Sequence, residues 1–83
     1  MNLKDFLKSY KINLEYFDLE NFEDEIMDIP YQVQVLKEHF NELNEQDRRM
    51  FFYLNKKLKE KIASVKSKNV LQEKIIFELK KAL

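Results

Sequence analysis

The sequence predicts an all-α protein, a small bundle of four or five helices joined by short connections. Glycine is absent from the 83 residues, whereas β-turns usually need glycine where the backbone φ angle is positive. Lysine and glutamate, which favour helices, dominate the charged residues, and these make up 36% of the chain. Large apolar residues recur every three or four positions, as on one side of a helix. We expect residues 1–83 to form a single helical domain, because a chain of this length can hold only one hydrophobic core.

The first predicted helix begins after Asn2 and continues to about Leu19. Asn2 can cap the helix start, and Asp5 lies three residues later, near the positive end of the helix. Asn13 lies within this segment, so one helix or two short helices would both fit the pattern. The apolar stripe of the segment comprises Leu3, Phe6, Leu7, Tyr10, Leu14 and Phe17.

An acidic segment follows and ends at Pro30, the single proline. Asn21 is a candidate cap for a short helix that carries Phe22, Ile26 and Ile29, and Pro30 ends this helix. Proline also suits the first turn of the next helix, with Asp28 or Ile29 near its cap. That next helix should stop near Asn44, and its apolar face comprises Tyr31, Val33, Leu36, Phe40 and Leu43.

Residues 45–82 contain neither glycine nor proline, so one long helix or two shorter helices are possible. Asn44 can cap the start of the helix in this segment, and Asp47 follows three residues later. The pattern favours two helices, because segment 66–69 has no apolar residue and the stripe beyond it is rotated by about 100°. Ser67 is the candidate cap of the last helix. The two stripes are Met50, Phe51, Leu54, Leu58, Ile62 and Val65, and then Leu71, Ile75, Leu79 and Ala82.

The composition is compatible with few kinds of catalytic or metal-binding chemistry. With no cysteine and one histidine, His39, thiolate and multi-histidine metal sites are excluded. Without glycine, the usual phosphate-binding loops of nucleotide sites are excluded as well. No serine has a histidine at a spacing that suggests a nucleophile and its base. We therefore expect a protein that is not an enzyme and has no cofactor, no metal ion and no small-molecule substrate.

The expected location is the cytoplasm, without membrane binding. The sequence has no uninterrupted apolar run of the ~18 residues that a transmembrane helix needs. Its first five residues are charged and amphipathic, unlike the start of a signal peptide.

Charge is segregated along the sequence, although the whole chain is neutral. Residues 1–47 contain four lysines and twelve acidic residues, which gives −8, whereas residues 48–83 contain eleven basic and three acidic residues, which gives +8. The two parts could pair within one molecule or across a dimer. The basic part could instead neutralise the phosphates of a nucleic acid, or the charges could simply be solvated. The acidic segment before Pro30 could be a solvated turn or a surface that mimics phosphates.

Four large apolar residues stand in a row at positions 50–53. Such a row covers about 300° of a helix, so one core cannot bury all four side chains. Phe52 and Tyr53 should point away from Phe51, and excess apolar surface of this kind marks an interface unless a neighbouring helix covers it. The predicted protein interface comprises Met50, Phe52, Tyr53, Ile76 and Phe77. The first functional hypothesis is a non-enzymatic regulatory or adaptor protein that acts as a helical homodimer or as a small inhibitor of a larger protein.

The segment Leu43-Asn44-Glu45-Gln46-Asp47-Arg48-Arg49-Met50-Phe51 resembles the start of the C-terminal DNA-binding region of bacterial sigma factors, which typically reads L-P-x-x-x-R before an apolar helix. Residues 67–83 are similar to the recognition helix of that region, although the preceding turn is about two residues shorter and lacks the usual glycine. The resemblance implies that residues 67–69 and 72–74 lie nearest the DNA. The alternative hypothesis is a helix-turn-helix-like DNA-binding transcriptional regulator that uses its basic C-terminal part. Its predicted nucleic-acid-binding residues are Arg48, Arg49, Lys56, Lys57, Lys66, Ser67, Lys68, Asn69, Gln72 and Lys74.

Overall fold

Four α-helices make up the fold in the computed structural model, which describes residues 2–17, 28–64, 66 and 70–83. The helices are α1 (Leu3–Glu15), α2 (Asp28–Glu38), α3 (Glu45–Ala63) and α4 (Val70–Ala82), and a short 3-10 helix (Phe40–Glu42) precedes α3. These described ranges contain no β-strand. The prediction of a small all-α helical bundle is confirmed.

One hydrophobic core lies between the four helices. α2 packs against α1 and α4, and α1 also packs against α3. Each helix contributes at least one fully buried side chain, namely Tyr10, Leu36, Leu58 and Leu79. Burying a leucine of this kind contributes roughly 1.5–3 kcal/mol of hydrophobic free energy. The core therefore fixes which side of each helix remains available at the surface.

Asparagine side chains cap the starts of α1 and α3, as the sequence predicted. The Oδ1 atom of Asn2 accepts a hydrogen bond from the backbone N–H of Lys4 at 3.0 Å. The Oδ1 atom of Asn44 accepts one from the backbone N–H of Asp47 at 2.8 Å. Each bond satisfies an amide that the first turn of a helix leaves without a partner.

The end of α1 differs from the prediction, because the helix stops at Glu15 and not near Leu19. Tyr16 leaves the helical conformation, and the ring of Phe17 is buried in the core. Asn13 does not interrupt the helix, since its side chain donates to Oε1 of Gln32 on α2 at 3.1 Å and does not compete for the backbone. Residue 19 and positions 21–27 of the short helix predicted after Asn21 lie outside the described residues. The rest of that prediction was wrong, because Ile29 belongs to α2 and Pro30 lies in the first turn of α2, so it does not end a helix.

The end of α2 also differs from the prediction. The helix stops at Glu38, and the chain reaches Asn44 through the 3-10 helix. Arg48 of α3 stabilises this tighter turn, because its Nε donates to the carbonyl of Phe40 at 3.2 Å and its Nη2 to the carbonyl of Asn41 at 2.9 Å. Pro30 lies in the first turn of α2, as predicted, where its missing N–H costs no helical hydrogen bond.

Two apolar residues that the periodicity assigned to buried stripes are exposed. Tyr31 is 59% exposed and Leu71 is 53% exposed, whereas their sequence neighbours Gln32 and Gln72 are buried. The amide of Gln32 tolerates burial because its Nε2 donates to Oγ of Ser9 at 2.8 Å and its Oε1 accepts from α1 as well. The assignment of Tyr31 and Leu71 to the core was therefore wrong.

α3 and α4 are separate helices, as the rotated stripes predicted. α3 ends at Ala63 with Ser64 as its C-cap, and α4 begins at Val70. The radius of gyration is 12.6 Å, as expected for a compact chain of this length, which has a radius near ~12 Å. The predicted roles of Val65 in the core and Ser67 as a cap lie outside the described residues. No helix among the residues described could span a membrane, given their lengths and polarities.

Replacing Asn44 with alanine should lower the free energy of unfolding by about 1 kcal/mol, because the N–H of Asp47 loses its partner. Urea denaturation followed by circular dichroism measures this loss. Asn41→Ala is the matched control, since Asn41 contributes its backbone carbonyl to the fold. An equal loss in both variants would contradict the capping role.

Candidate protein-binding face

The outward side of α3 combines two exposed aromatic rings with three exposed lysines. Phe52 is 61% exposed and Tyr53 is 55% exposed, whereas Phe51 beside them is buried. Successive side chains of a helix differ by about 100° in direction, so only one of the three rings can point into the core. The prediction that Phe52 and Tyr53 point away from Phe51 is confirmed. We define the α3 outer face as Phe52, Tyr53, Lys56, Lys57 and Lys59, all of which are exposed.

Grooves lie on both sides of the α3 outer face. Phe52 lines a groove toward the 3-10 helix, where the centroid of its ring lies 5.3 Å from that of Phe40. Tyr53 lines a second groove toward α1, together with Met50. The Nζ atom of Lys57 lies 5.5 Å from the ring centroid of Tyr53, a cation–π arrangement that keeps one lysine close to the ring. Apolar surface therefore continues from the α3 outer face into both grooves.

The five residues predicted as a protein interface differ in accessibility. Phe52, Tyr53 and Phe77 are exposed, and Phe77 shares the outward side of α4 with Val70, seven residues earlier and 80% exposed. Met50 and Ile76 are half-buried and pack against the core, so they offer a partner much less surface than predicted. The accessible apolar surface on α3 is therefore carried by Phe52 and Tyr53.

Three basic residues from the C-terminal part are engaged within the chain. Arg48 holds the 3-10 helix, and its guanidinium carbon lies 5.1 Å from the ring centroid of Phe40. Arg49 forms an exposed ion pair with Glu45 at 2.7 Å. The ammonium group of Lys61 donates to the carbonyl of Leu14 at 2.7 Å, in the last turn of α1. This carbonyl also accepts from the backbone N–H of Phe17 at 3.2 Å, and a cation beside the last turn interacts favourably with the helix dipole.

The remaining residues predicted to bind nucleic acid do not share one environment. Lys56 and Lys57 belong to the α3 outer face, and Lys66 and Lys74 are exposed. Gln72 is only 5% exposed, so in this fold it does not offer its amide to a base. Ser67, Lys68 and Asn69 lie outside the described residues.

A buried tyrosine connects α1 to α3 and sets the rotation of α3. The hydroxyl of Tyr10 donates to Oδ1 of Asn55 at 2.9 Å, and the rings of Tyr10 and Phe51 meet edge to face with centroids 6.3 Å apart. Tyr10 is fully buried, and this burial raises its pKa well above the ordinary value. With Asn55 and Phe51 turned toward α1, Phe52 and Tyr53 are turned toward solvent.

His39 and the acidic residues give no sign of a reactive centre in the part of the chain that the structure describes. His39 pairs with Glu42, three residues later, at the surface. No group of three or more histidine, cysteine, aspartate or glutamate side chains among the described residues could hold a metal ion.

Comparisons with protein-family models, with curated proteins and with solved structures found no match for this chain. The resemblance to the DNA-binding region of sigma factors is therefore not accompanied by a family match. Function has to be inferred from the surface of the molecule.

The free energy of unfolding should fall as the pH rises above about 10. Above this pH the hydroxyl of Tyr10 loses its proton in the unfolded state, whereas burial keeps the proton in place in the folded state. The stabilisation is complete below this pH and is lost progressively above it. Urea denaturation at a series of pH values measures the slope. The slope should become shallower in Tyr10→Phe, which keeps the buried ring and removes the titrating hydroxyl. An identical slope in the two proteins would show that Tyr10 does not contribute.

Lys61→Met should lower the free energy of unfolding by about 1–2 kcal/mol, because the carbonyl of Leu14 loses a charged donor. Lys59→Met is the matched control, since Lys59 is exposed and should change stability by no more than ~0.5 kcal/mol. Chemical denaturation of both variants gives the comparison. If Lys61→Met behaved like the control, the cap would have no energetic role.

Proposed function

We propose that this protein is a non-enzymatic regulatory or adaptor protein that binds another protein through the α3 outer face and that forms a homodimer by this route. The exposure of Phe52 and Tyr53 carries the proposal. Each Å² of apolar surface that a partner removes from water contributes roughly 25 cal/mol. Two large rings on one helix of an 83-residue chain therefore offer a partner a concentrated source of binding free energy.

The two aromatic rings of the α3 outer face, with charged residues at their edge, resemble the centre and rim of a protein-binding surface. Aromatic side chains dominate the residues whose truncation weakens protein complexes most, and polar residues usually surround them. Lys56 and Lys59 stand one and two helical turns after Phe52, on the same side of α3. Lysines at the rim would attract an acidic surface and orient it during encounter. The arrangement thus favours a partner that is acidic and also has apolar residues.

The alternative function, a DNA-binding transcriptional regulator, is favoured by the three exposed lysines of the α3 outer face. The surface of α4, the helix that resembles a recognition helix, supports it less. α4 buries Gln72 and exposes Val70, Leu71 and Phe77, whereas surfaces that bind DNA are polar and positively charged. A gel shift with duplex DNA at low salt tests this alternative. Binding that weakens steeply with salt and disappears when Lys56, Lys57 and Lys59 are changed to glutamine would favour it over protein binding.

Sedimentation velocity over a range of concentrations tests the homodimer. We expect reversible association of the unchanged protein and a monomer for the double variant Phe52→Ser, Tyr53→Ser, because both rings would leave the surface. Both positions are exposed, so circular dichroism should show the same helix content and nearly the same stability.

Phe77→Ser is the matched control, because it removes an equally exposed ring from α4 and should leave association unchanged. A wild-type chain that stays monomeric at every concentration would contradict the homodimer. Association that survives loss of both α3 rings would contradict the assignment of the face.

A further inference from the structure

We propose that a second copy of this chain receives the α3 outer face in a cleft between the starts of α1 and α2. We define the α1–α2 cleft by Asp5, Phe6, Asp28 and Tyr31, which line it together with Ser9 and Gln32. The inference rests on the proposed function, and it adds the receiving surface.

The α1–α2 cleft is aromatic in its lining and acidic at its edges. Tyr31 is 59% exposed, and its ring centroid lies 6.3 Å from that of the half-buried Phe6. Asp5 lies in the first turn of α1 and Asp28 in the first turn of α2, and both are exposed. Neither carboxylate forms an ion pair with a described residue. The cleft therefore presents apolar surface beside two carboxylates that no cation of the described chain neutralises.

The α3 outer face complements this cleft both in apolar surface and in charge. Phe52 and Tyr53 supply exposed rings, and Lys56 and Lys59 supply positive charge without an ion pair to a described residue. Residues 52–63 contain one acidic residue, Glu60. If two α3 outer faces met directly, both would bring their lysines to one interface, and such accumulation of like charges is unfavourable. A second copy is therefore expected to meet the α3 outer face with its acidic cleft and not with the same helix.

Each copy carries one α3 outer face and one α1–α2 cleft, so one copy can offer its face to the cleft of a second copy. Such a dimer also gives a role to the separation of charge between residues 1–47 and 48–83, while the assembly stays neutral.

A charge-reversal experiment with two variants tests the pairing. The basic-face variant carries Lys56→Glu and Lys59→Glu, and the cleft variant carries Asp5→Lys and Asp28→Lys. Alone, each variant would place like charges opposite each other, and its association constant should be lower than that of the unchanged chain by a factor of roughly ten or more. Mixed together, the two variants should form a heterodimer, because the acidic face of one variant then meets the basic cleft of the other.

Sedimentation velocity with one fluorescently labelled variant measures the heterodimer directly. Lys74→Glu with Lys80→Glu is the matched control, since it makes the same charge change at exposed positions of α4 and should leave association unchanged. Circular dichroism checks that each variant stays folded. Asp5→Asn with Asp28→Asn is the milder alternative if lysine at a helix start disturbs the fold, and it should also weaken association.

The outcomes separate this inference from the proposed function. If the unchanged chain does not associate, the proposed homodimer itself is wrong. If the unchanged chain associates and either charge-reversed variant associates equally well alone, the homodimer stands and the α1–α2 cleft is not the receiving surface. If both variants are monomers and their mixture is monomeric too, the pairing of face with cleft is overturned. Restored association in the mixture alone supports it.

Discussion

The direction in which α3 faces is the constraint on which the rest of the structure depends. Phe51, Leu54 and Leu58 bury one side of the helix, and the hydrogen bond from Tyr10 to Asn55 holds that side against α1. Because three rings follow one another in the sequence, this rotation necessarily turns Phe52 and Tyr53 outward. The exposed rings are thus a direct geometrical consequence of how the core is filled.

Local signals were sufficient to predict the helix class, two caps and the separation of α3 from α4. Asn2 and Asn44 act within three residues of their own positions, so their roles are visible in the sequence. The ends of α1 and α2 were not predictable in this way, because they depend on side chains that belong to another helix. Lys61 satisfies a carbonyl 47 residues earlier, and Arg48 satisfies the carbonyls of a turn on another element. Periodicity contains no information about such partners.

The candidate surface was predicted only in part, for a related reason. Three consecutive rings cannot all enter the core, so exposure of Phe52 and Tyr53 could be predicted, and both are exposed in the structure. Tyr31 was assigned to the core, because its spacing fits an apolar stripe as well as the true buried residues do. Burial of Gln32 in its place depends on Ser9 and Asn13 of α1, which supply the polar partners that a buried amide needs. The α1–α2 cleft was consequently invisible before the helices were assembled.

The lysine that closes the end of α1 also has a consequence for biosynthesis. Its partner carbonyl belongs to Leu14, which accepts locally from the backbone N–H of Phe17 but receives its charged donor from a residue that is synthesised much later. A chain emerging from a ribosome carries α1 for most of its translation without the cation, and without the α3 side chains that cover Tyr10. The buried hydroxyl of Tyr10 and the carbonyl of Leu14 therefore gain their partners from α3 only after most of the polypeptide has been synthesised.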